Sequence, residues 1–416
     1  MRKRMLGKGG GLPPMHENSA SSGSRAGGAS GSTSNHYEPV MWNEFFDEKV
    51  LVKTDYGMEF NVYRKGDSSL PAILFVHGGG FTGLNEVEQY LFLAKKKKQI
   101  SFFHRFHYVY HIFQLFSTWS HFVKSITSQS KVQCICPDLR GHGLSTPYPT
   151  SESSASNSKF YSLDNFSKDL TSIMTQMPGF KNVVSPPKIC IFGHSMGGAI
   201  VSHVANSPEF YQVACIALFD VIEGSAMAAL PSMEGVIKAR PKYFPDEESA
   251  VKWALQTNYI KNLDSARVSM PSQVKKIENI AENDENQQKI PNQENGQNNQ
   301  LKYTWRTDLL KTRPFWDEWF RGMDKKFLAT PCGPKLVLVT DPSNLDKEMT
   351  IAQMQGKFQI QMLPQSGHAV HEDQPVQIAT KITDYLKRFR IAEPVAGGFG
   401  NDARGKSGLV FKTYGN

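Results

Sequence analysis

The sequence predicts an α/β fold: a mostly parallel sheet covered by helices on both faces. Three observations carry this. Short apolar runs recur at residues 72–76, 132–137, 188–192, 213–219, 335–339 and 358–362. Strands buried on both faces read as continuous apolar runs rather than as alternations. Helical patterns separate them, among them 163–177, which ends at Pro178-Gly179, and 376–389. Finally, several runs end in turns bearing Gly, His or Asp, and sheets of this type hold their active groups at the carboxyl ends of the strands.

Taken in order, residues 1–36 are rich in Gly, Ser and Asn and carry too little apolar surface to offset ordering entropy, so a disordered tail is expected. Residues 37–46 read as a strap carrying Trp42 and Phe45. Residues 48–53 and 59–64 flank Tyr56-Gly57 as a β-hairpin. The run 72–76 leads into His77-Gly78-Gly79-Gly80, and the run 132–137 into Asp138-Leu139-Arg140-Gly141-His142-Gly143. Residues 37–228 form the first part of the core and 331–392 the second, with a flexible tail at 393–416. Between the two parts, 229–330 reads as a helical lid rich in Trp, Arg and Lys, inserted after the fourth apolar strand. Its centre, 278–300, is a low-complexity Asn/Gln/Glu stretch expected to be disordered.

Composition narrows the function classes. A core of roughly 250–300 residues is ample for one α/β domain. The net charge of +8 is local, because Lys95 to Lys98 supply half of it and no nucleic-acid motif accompanies them. No nucleic-acid partner is expected. Five cysteines, Cys134, Cys136, Cys190, Cys215 and Cys332, show no paired spacing, which argues for reduced thiols. Cys134-x-Cys136 alone is poor evidence for zinc. Residues 1–14 are basic and Gly-rich without an apolar stretch, and no run is long enough to span a bilayer. A cytoplasmic or nuclear enzyme without membrane contact is the expectation.

The most informative stretch is Gly193-His194-Ser195-Met196-Gly197-Gly198, a Gly-x-Ser-x-Gly between a short apolar strand and a helical segment. Strand, sharp turn and helix are the context of a nucleophile elbow, and Ser195 is the expected nucleophile. Acyl transfer also needs a base, an orienting acid and an oxyanion hole. His77-Gly78-Gly79-Gly80 offers backbone N–H groups at Gly79 and Gly80, and Met196 N–H is a second source. No Gly-Lys-Ser/Thr follows, so this loop is not a phosphate-binding P-loop. Asp220 ends the strand after the elbow and can orient an imidazole. Asp341 and Asp346 follow the fifth run and compete, although Asp341 precedes Pro342 and reads as a turn. His368 follows the sixth run, preceded by Gly367, and is the expected base; His371 competes, while His194 reads as packed beneath the turn.

Longer motifs carry a specific resemblance. Asp220-Val221-Ile222-Glu223-Gly224-Ser225-Ala226-Met227 resembles the protein phosphatase methylesterases of the α/β-hydrolase superfamily. So do Asn262-Leu263-Asp264-Ser265-Ala266-Arg267-Val268-Ser269-Met270, Tyr303-Thr304-Trp305-Arg306 with residues 316–322, Met354-Gln355-Gly356-Lys357-Phe358-Gln359, and Gly367-His368-Ala369-Val370-His371-Glu372-Asp373. The resemblance runs from about Trp42 to Phe399, outside two insertions. It implies an α/β-hydrolase fold and hydrolysis of the methyl ester on the C-terminal leucine of the protein phosphatase 2A catalytic subunit, with Ser195, Asp220 and His368 as triad. It implies a free enzyme poorly organised for catalysis; the acyl-enzyme chemistry needs no metal or organic cofactor, and the chain is expected to be monomeric on its own. Met354, Gln355, Lys357 and Phe358 are expected on the docking surface for the phosphatase.

Two departures stand out. The family runs almost directly from the His-Gly-Gly-Gly loop to Ser117-Thr118-Trp119-Ser120, whereas residues 84–116 intervene here. Their Lys, Phe, Tyr and Ile bias is what translated AT-rich noncoding sequence yields, so they read as a retained intron or gene-model error; a basic-aromatic membrane contact or a partner-binding loop are the functional alternatives. Residues 340–346 replace a Gly-containing turn. The rival functions are a small-molecule esterase and a non-catalytic phosphatase-binding protein.

Overall fold

A computed structural model describes residues 36–79, 116–147, 159–277 and 302–396. The chain divides into two compact units, Met1–His36 and Tyr37–Asn416, and all elements named here belong to the second. The tail before residue 36, nearly all of the 84–116 insertion, and the 278–300 stretch lie outside the described residues.

The elements alternate as the apolar runs imply. They are β1 (Glu48–Lys53), β2 (Glu59–Lys65), β3 (Ala72–Val76), α1 (Ser120–Gln129), β4 (Gln133–Pro137), α2 (Leu163–Gln176), β5 (Ile189–His194), α3 (Met196–Val204) and β6 (Val213–Phe219). An insertion then carries α4 (Glu223–Lys238), β7 (Tyr243–Phe244), α5 (Glu247–Gln256), α6 (Leu263–Gln273), β8 (Val274–Lys276), β9 (Tyr303–Trp305), α7 (Trp316–Phe320) and α8 (Met323–Ala329). The chain closes with β10 (Lys335–Val339), α9 (Lys347–Met354), β11 (Gln359–Met362), α10 (Val370–Asp373) and α11 (Pro375–Arg388).

Eight strands form one sheet in the order β1-β2-β4-β3-β5-β6-β10-β11. The β1–β2 hairpin and the β2–β4 pair are antiparallel, and the remaining pairs are parallel. Successive side chains of a strand face opposite sides of the sheet. On β3, Ala72, Leu74 and Val76 accordingly enter one core while Ile73 and Phe75 enter the other. Phe166, Leu170 and Ile173 of α2 and Ala199, Ile200 and Val204 of α3 cover the first face. Phe122, Val123 and Ile126 of α1 and Ile378, Ile382 and Leu386 of α11 cover the second. Each fully buried Leu, Ile or Phe contributes about 1.5–3 kcal/mol relative to exposure, so the two layers hold the central strands, and the turns at their carboxyl ends, in fixed register.

The insertion follows the fourth apolar strand, as expected, but it is not wholly helical. Tyr243–Phe244, Tyr303–Trp305 and Val274–Lys276 form an antiparallel sheet in the order β7-β9-β8. Strands this short give no measurable period in sequence. The helices of the insertion start where polar caps stand: Asp246 accepts from Ser249 N at 2.7 Å and Asn262 from Ser265 N at 3.1 Å. Among the described residues no helix is long and apolar enough to cross a membrane.

Candidate active site

Ser195 sits between β5 and α3 with φ +52° and ψ −122°, outside the ordinary regions for an L-residue. Its neighbours enforce the turn. A Cβ on Gly193 would lie 2.2 Å from Gly197 O, and one on Gly197 would lie 2.1 Å from Val76 O. Only glycine fits at either place, so β5, β3 and the start of α3 close together beneath Ser195. Ser195 N donates to Phe219 O at 3.2 Å, which ties the elbow to the end of β6.

The next residue after Phe219 is Asp220, also at positive φ (+50°). Its backbone N donates to Leu338 O at 2.8 Å, fixing it against β10. Thr340 N and Thr340 Oγ1 donate to Asp220 Oδ1 at 3.2 and 3.3 Å. Asp220 Oδ2 is 2.8 Å from His368 Nδ1. A carboxylate only accepts, so this bond places the Nδ1 proton between the two residues; in the neutral tautomer Nε2 is then the nitrogen with the lone pair. His368 Nε2 is buried and makes no hydrogen bond with the described residues. The acid and the imidazole expected from sequence are thus paired, while the imidazole's second nitrogen is unengaged.

The competing residues have other partners. Asp341 accepts from Ser343 N at 2.8 Å, and Asp346 caps α9 by accepting from Met349 N at 2.9 Å. His371 is fully buried, stacks on Trp119 with ring centroids 3.9 Å apart, and meets Thr118 Oγ1 through Nε2 at 2.9 Å. His194 Nε2 lies 2.9 Å from His368 O, so its ring packs beneath the histidine loop. Burial first, then the neighbouring imidazoles, push both His194 and His371 well below the usual histidine range. Both are neutral rings that shape the floor of the site.

The Gly78-Gly79 segment lies directly on the elbow. A Cβ at Gly78 would come 3.1 Å from Ser195 Cβ, and one at Gly79 would come 2.4 Å from Met196 Sδ. Gly80 lies outside the described residues. Met196 is the first residue of α3, where a backbone N–H has no partner inside the helix. The loop is braced from behind by residues not singled out from sequence. His77 Nε2 accepts from Leu139 N at 3.0 Å, so the His77 proton resides on Nδ1, which faces Gly78 O at 3.0 Å. Burial, and then His142, push the His77 pKa down to about 3; the His142 ring is 5.1 Å away. The 138–143 loop is in turn held by Arg140, whose Nε and Nη2 reach Asp169 Oδ2 and Oδ1, each at 2.6 Å, inside the core. Tyr56 OH donates to the same carboxylate at 3.0 Å. The sequence signal for this brace was the run of polar residues after β4, which carries no role until the β3–β4 pairing places it beside His77.

Of the four residues expected on a docking surface, Met354, Gln355 and Lys357 are exposed. Phe358 is not: it is buried, with its ring 5.8 Å from that of Phe327. Phe358 precedes β11 and its ring belongs to the core, which corrects that part of the expectation. Among the described residues there is no group of three or more His, Cys, Asp or Glu arranged to hold a metal ion.

The alpha/beta hydrolase family model matches residues 73–381. Among solved structures, E-2-(acetamidomethylene)succinate hydrolase superposes with TM-score 0.50 at 15% identity, covering 82% of this chain and 100% of that one. A hypothetical protein from Pseudomonas aeruginosa PAO1 superposes with TM-score 0.51 at 14% identity, covering 82% and 99%. At these identities the likeness concerns the fold alone. Bos taurus protein phosphatase methylesterase 1 is 35% identical over 387 residues, covering 87% of this chain and 89% of the relative. The Aspergillus oryzae protein of the same name is 33% identical over 360 residues, covering 85% and 73%. Fold, elbow and extended identity agree: the chain belongs to the protein phosphatase methylesterase family, carboxylic ester hydrolases built on the α/β-hydrolase fold.

Proposed function

We propose that this enzyme removes the methyl ester from the C-terminal leucine of the protein phosphatase 2A catalytic subunit, with Ser195 as nucleophile, His368 as base and Asp220 as orienting acid. The observation that carries the triad is the Asp220–His368 hydrogen bond of 2.8 Å at the strand ends beside the Ser195 elbow. Family membership supports the choice of substrate.

In this mechanism His368 Nε2 takes the Ser195 hydroxyl proton as Oγ attacks the ester carbonyl. Charge moves onto the carbonyl oxygen, where the N–H groups of Met196 and Gly79 are the available donors. Collapse of the tetrahedral intermediate expels the methoxy group, which His368 protonates to methanol. Water, activated by the same imidazole, then hydrolyses the leucyl ester on Ser195 and frees the carboxylate. Asp220 keeps the Nδ1 proton in place and stabilises the imidazolium that forms. The unengaged Nε2 supports a resting form in which the serine–imidazole contact tightens only when substrate is bound, as apo sites often do.

The test is methanol release from the methylated phosphatase. Ser195→Ala is expected to abolish release while still binding the phosphatase. Release at the native rate by that variant overturns the mechanism. Release from a short-chain nitrophenyl ester but none from the methylated phosphatase overturns the substrate.

A further inference from the structure

The turn that carries His368 is fastened to the insertion around one carboxylate, that of Asp373. Asp373 Oδ2 accepts from Gly367 N at 2.6 Å, the residue immediately before His368. Asp373 Oδ1 accepts from Lys261 N at 2.9 Å, in the turn between α5 and α6 of the insertion. Lys261 returns the contact, because its Nζ donates to Gln365 O at 3.1 Å. Gln365 holds φ +74°, a left-handed backbone that a residue with a side chain keeps only when its surroundings impose it. On the other side of the turn, Gln374 Nε2 donates to Pro364 O at 2.9 Å.

These contacts form a closed loop of bonds. The insertion holds Asp373 and Gln365, Asp373 holds Gly367, and Gly367 precedes the imidazole that Asp220 orients. Hydrogen bonds from N–H groups to an ionised carboxylate are short and directional. One carboxylate oxygen serves each element, so removing the side chain releases Gly367 N and Lys261 N together and leaves the Lys261 Nζ contact to Gln365 O. Burial raises the Asp373 pKa, while the bonds from Lys261 and Gly367 and the Lys261 charge act against that rise.

We infer that Asp373 is a positioning residue: it ties the His368 turn to the 258–262 turn of the insertion, so that the aim of the imidazole at Ser195 depends on where the insertion sits. The inference rests on the proposed role of His368 as base. It gives the insertion a route to the chemistry, since a partner that shifts the 258–262 turn shifts Gly367 with it.

The experiment is labelling of Ser195 in the full chain by a fluorophosphonate, with the maximal rate and the half-saturating concentration measured separately. Thermal midpoints are recorded alongside, and His368→Ala serves as the control. A misplacement of about 1 Å costs on the order of 10²-fold in rate. Asp373→Ala is therefore expected to lower the maximal rate about 30- to 100-fold and leave half-saturation within about twofold. Asp373→Asn, which keeps one acceptor oxygen, should recover part of the loss. A merely structural role would lower the thermal midpoint and leave the rate of the folded fraction intact. A folded Asp373→Ala labelled within threefold of the native rate overturns the inference. If that variant does not fold, native labelling by Asp373→Asn overturns it equally. Native-rate labelling of His368→Ala is a different failure: it removes His368 as base, and the positioning role falls with it.

Discussion

Asp220 Oδ2 and His368 Nδ1 lie 2.8 Å apart although 148 residues separate them in the chain. The pairing exists because β6 and β10 are neighbours and β10 pairs with β11. Asp220 ends one of these strands, and His368 follows another. Replacing Asp220 by Asn keeps the volume but presents an amide that can donate to Nδ1, favouring the wrong tautomer. Asp220→Asn is expected to lower kcat about 10³- to 10⁴-fold with little change in KM, by analogy with the loss of the acid in other triads. Methanol release kinetics check this, and an unchanged kcat would remove Asp220 from the triad.

The packing of Gly78 against the elbow makes a second prediction. A methyl group there would stand 2.8 Å from His194 Nδ1, 3.1 Å from Ser195 Cβ and 3.2 Å from His194 O. The last contact is with backbone, so the loop rather than its neighbour must move. Gly78→Ala should displace the donor at Gly79 and cost about 10²-fold in kcat, the scale of losing one oxyanion donor. Circular dichroism and the urea midpoint should change little by comparison.

Arg140 and Asp169 form a buried bidentate pair beneath the 138–143 loop. Burial raises the Asp169 pKa, and Arg140 opposes that rise. Taking away the guanidinium leaves the carboxylate in the core with only the Tyr56 hydroxyl. Arg140→Met is expected to destabilise the fold by about 3–5 kcal/mol, the range for breaking one side of a buried pair. Double replacement, Arg140→Met with Asp169→Leu, should recover much of this in chemical unfolding. A single-variant loss no larger than that of a surface substitution would contradict the account.

Asp324 gives the pH prediction. It is buried, and burial first, then the charges of Asp346 and Glu223, raise its pKa to about 8. A carboxyl whose folded value lies above its unfolded value of 3.8 binds its proton more tightly in the native state. Its contribution to stability is therefore lost as pH rises from about 4 through about 8. Asp324→Asn mimics the protonated group without titrating. That variant is expected to be more stable than the native chain at pH 9, with the difference shrinking toward pH 5. Urea midpoints measured across this range check the sign, and a variant that gains no relative stability at high pH counts against the buried-acid assignment.

Much of the architecture was legible because it is local. Apolar runs such as 72–76 and 188–192 report strands buried on both faces, and the hairpin around Tyr56-Gly57 is closed by neighbours in sequence. The small β7-β9-β8 sheet was not legible, because two- and three-residue strands pair across a long separation. Phe358 misled for a related reason. It lies in a polar motif that reads as surface, yet at the entry to β11 its ring packs on Phe327. The brace of His77, His142, Arg140 and Asp169 was hidden because its members come from three separate places, the end of β3, the loop after β4 and α2.

The sequence alone specifies the fold class and the Gly-x-Ser-x-Gly turn that holds Ser195, since such a turn between a strand and a helix is set by a few consecutive residues. It also marked Asp220 and His368 as candidates at strand ends. Which carboxylate faces which imidazole is fixed by the packing of the strands and loops in three dimensions. Asp341 and Asp346 are occupied as caps, His371 stacks on Trp119, and His194 underlies the histidine turn. Parallel strand order is set by burial of both faces of the sheet, a property of the whole chain that no local window contains. That order places Asp220 against His368 and lets Asp373 join the histidine turn to the insertion beside Ser195.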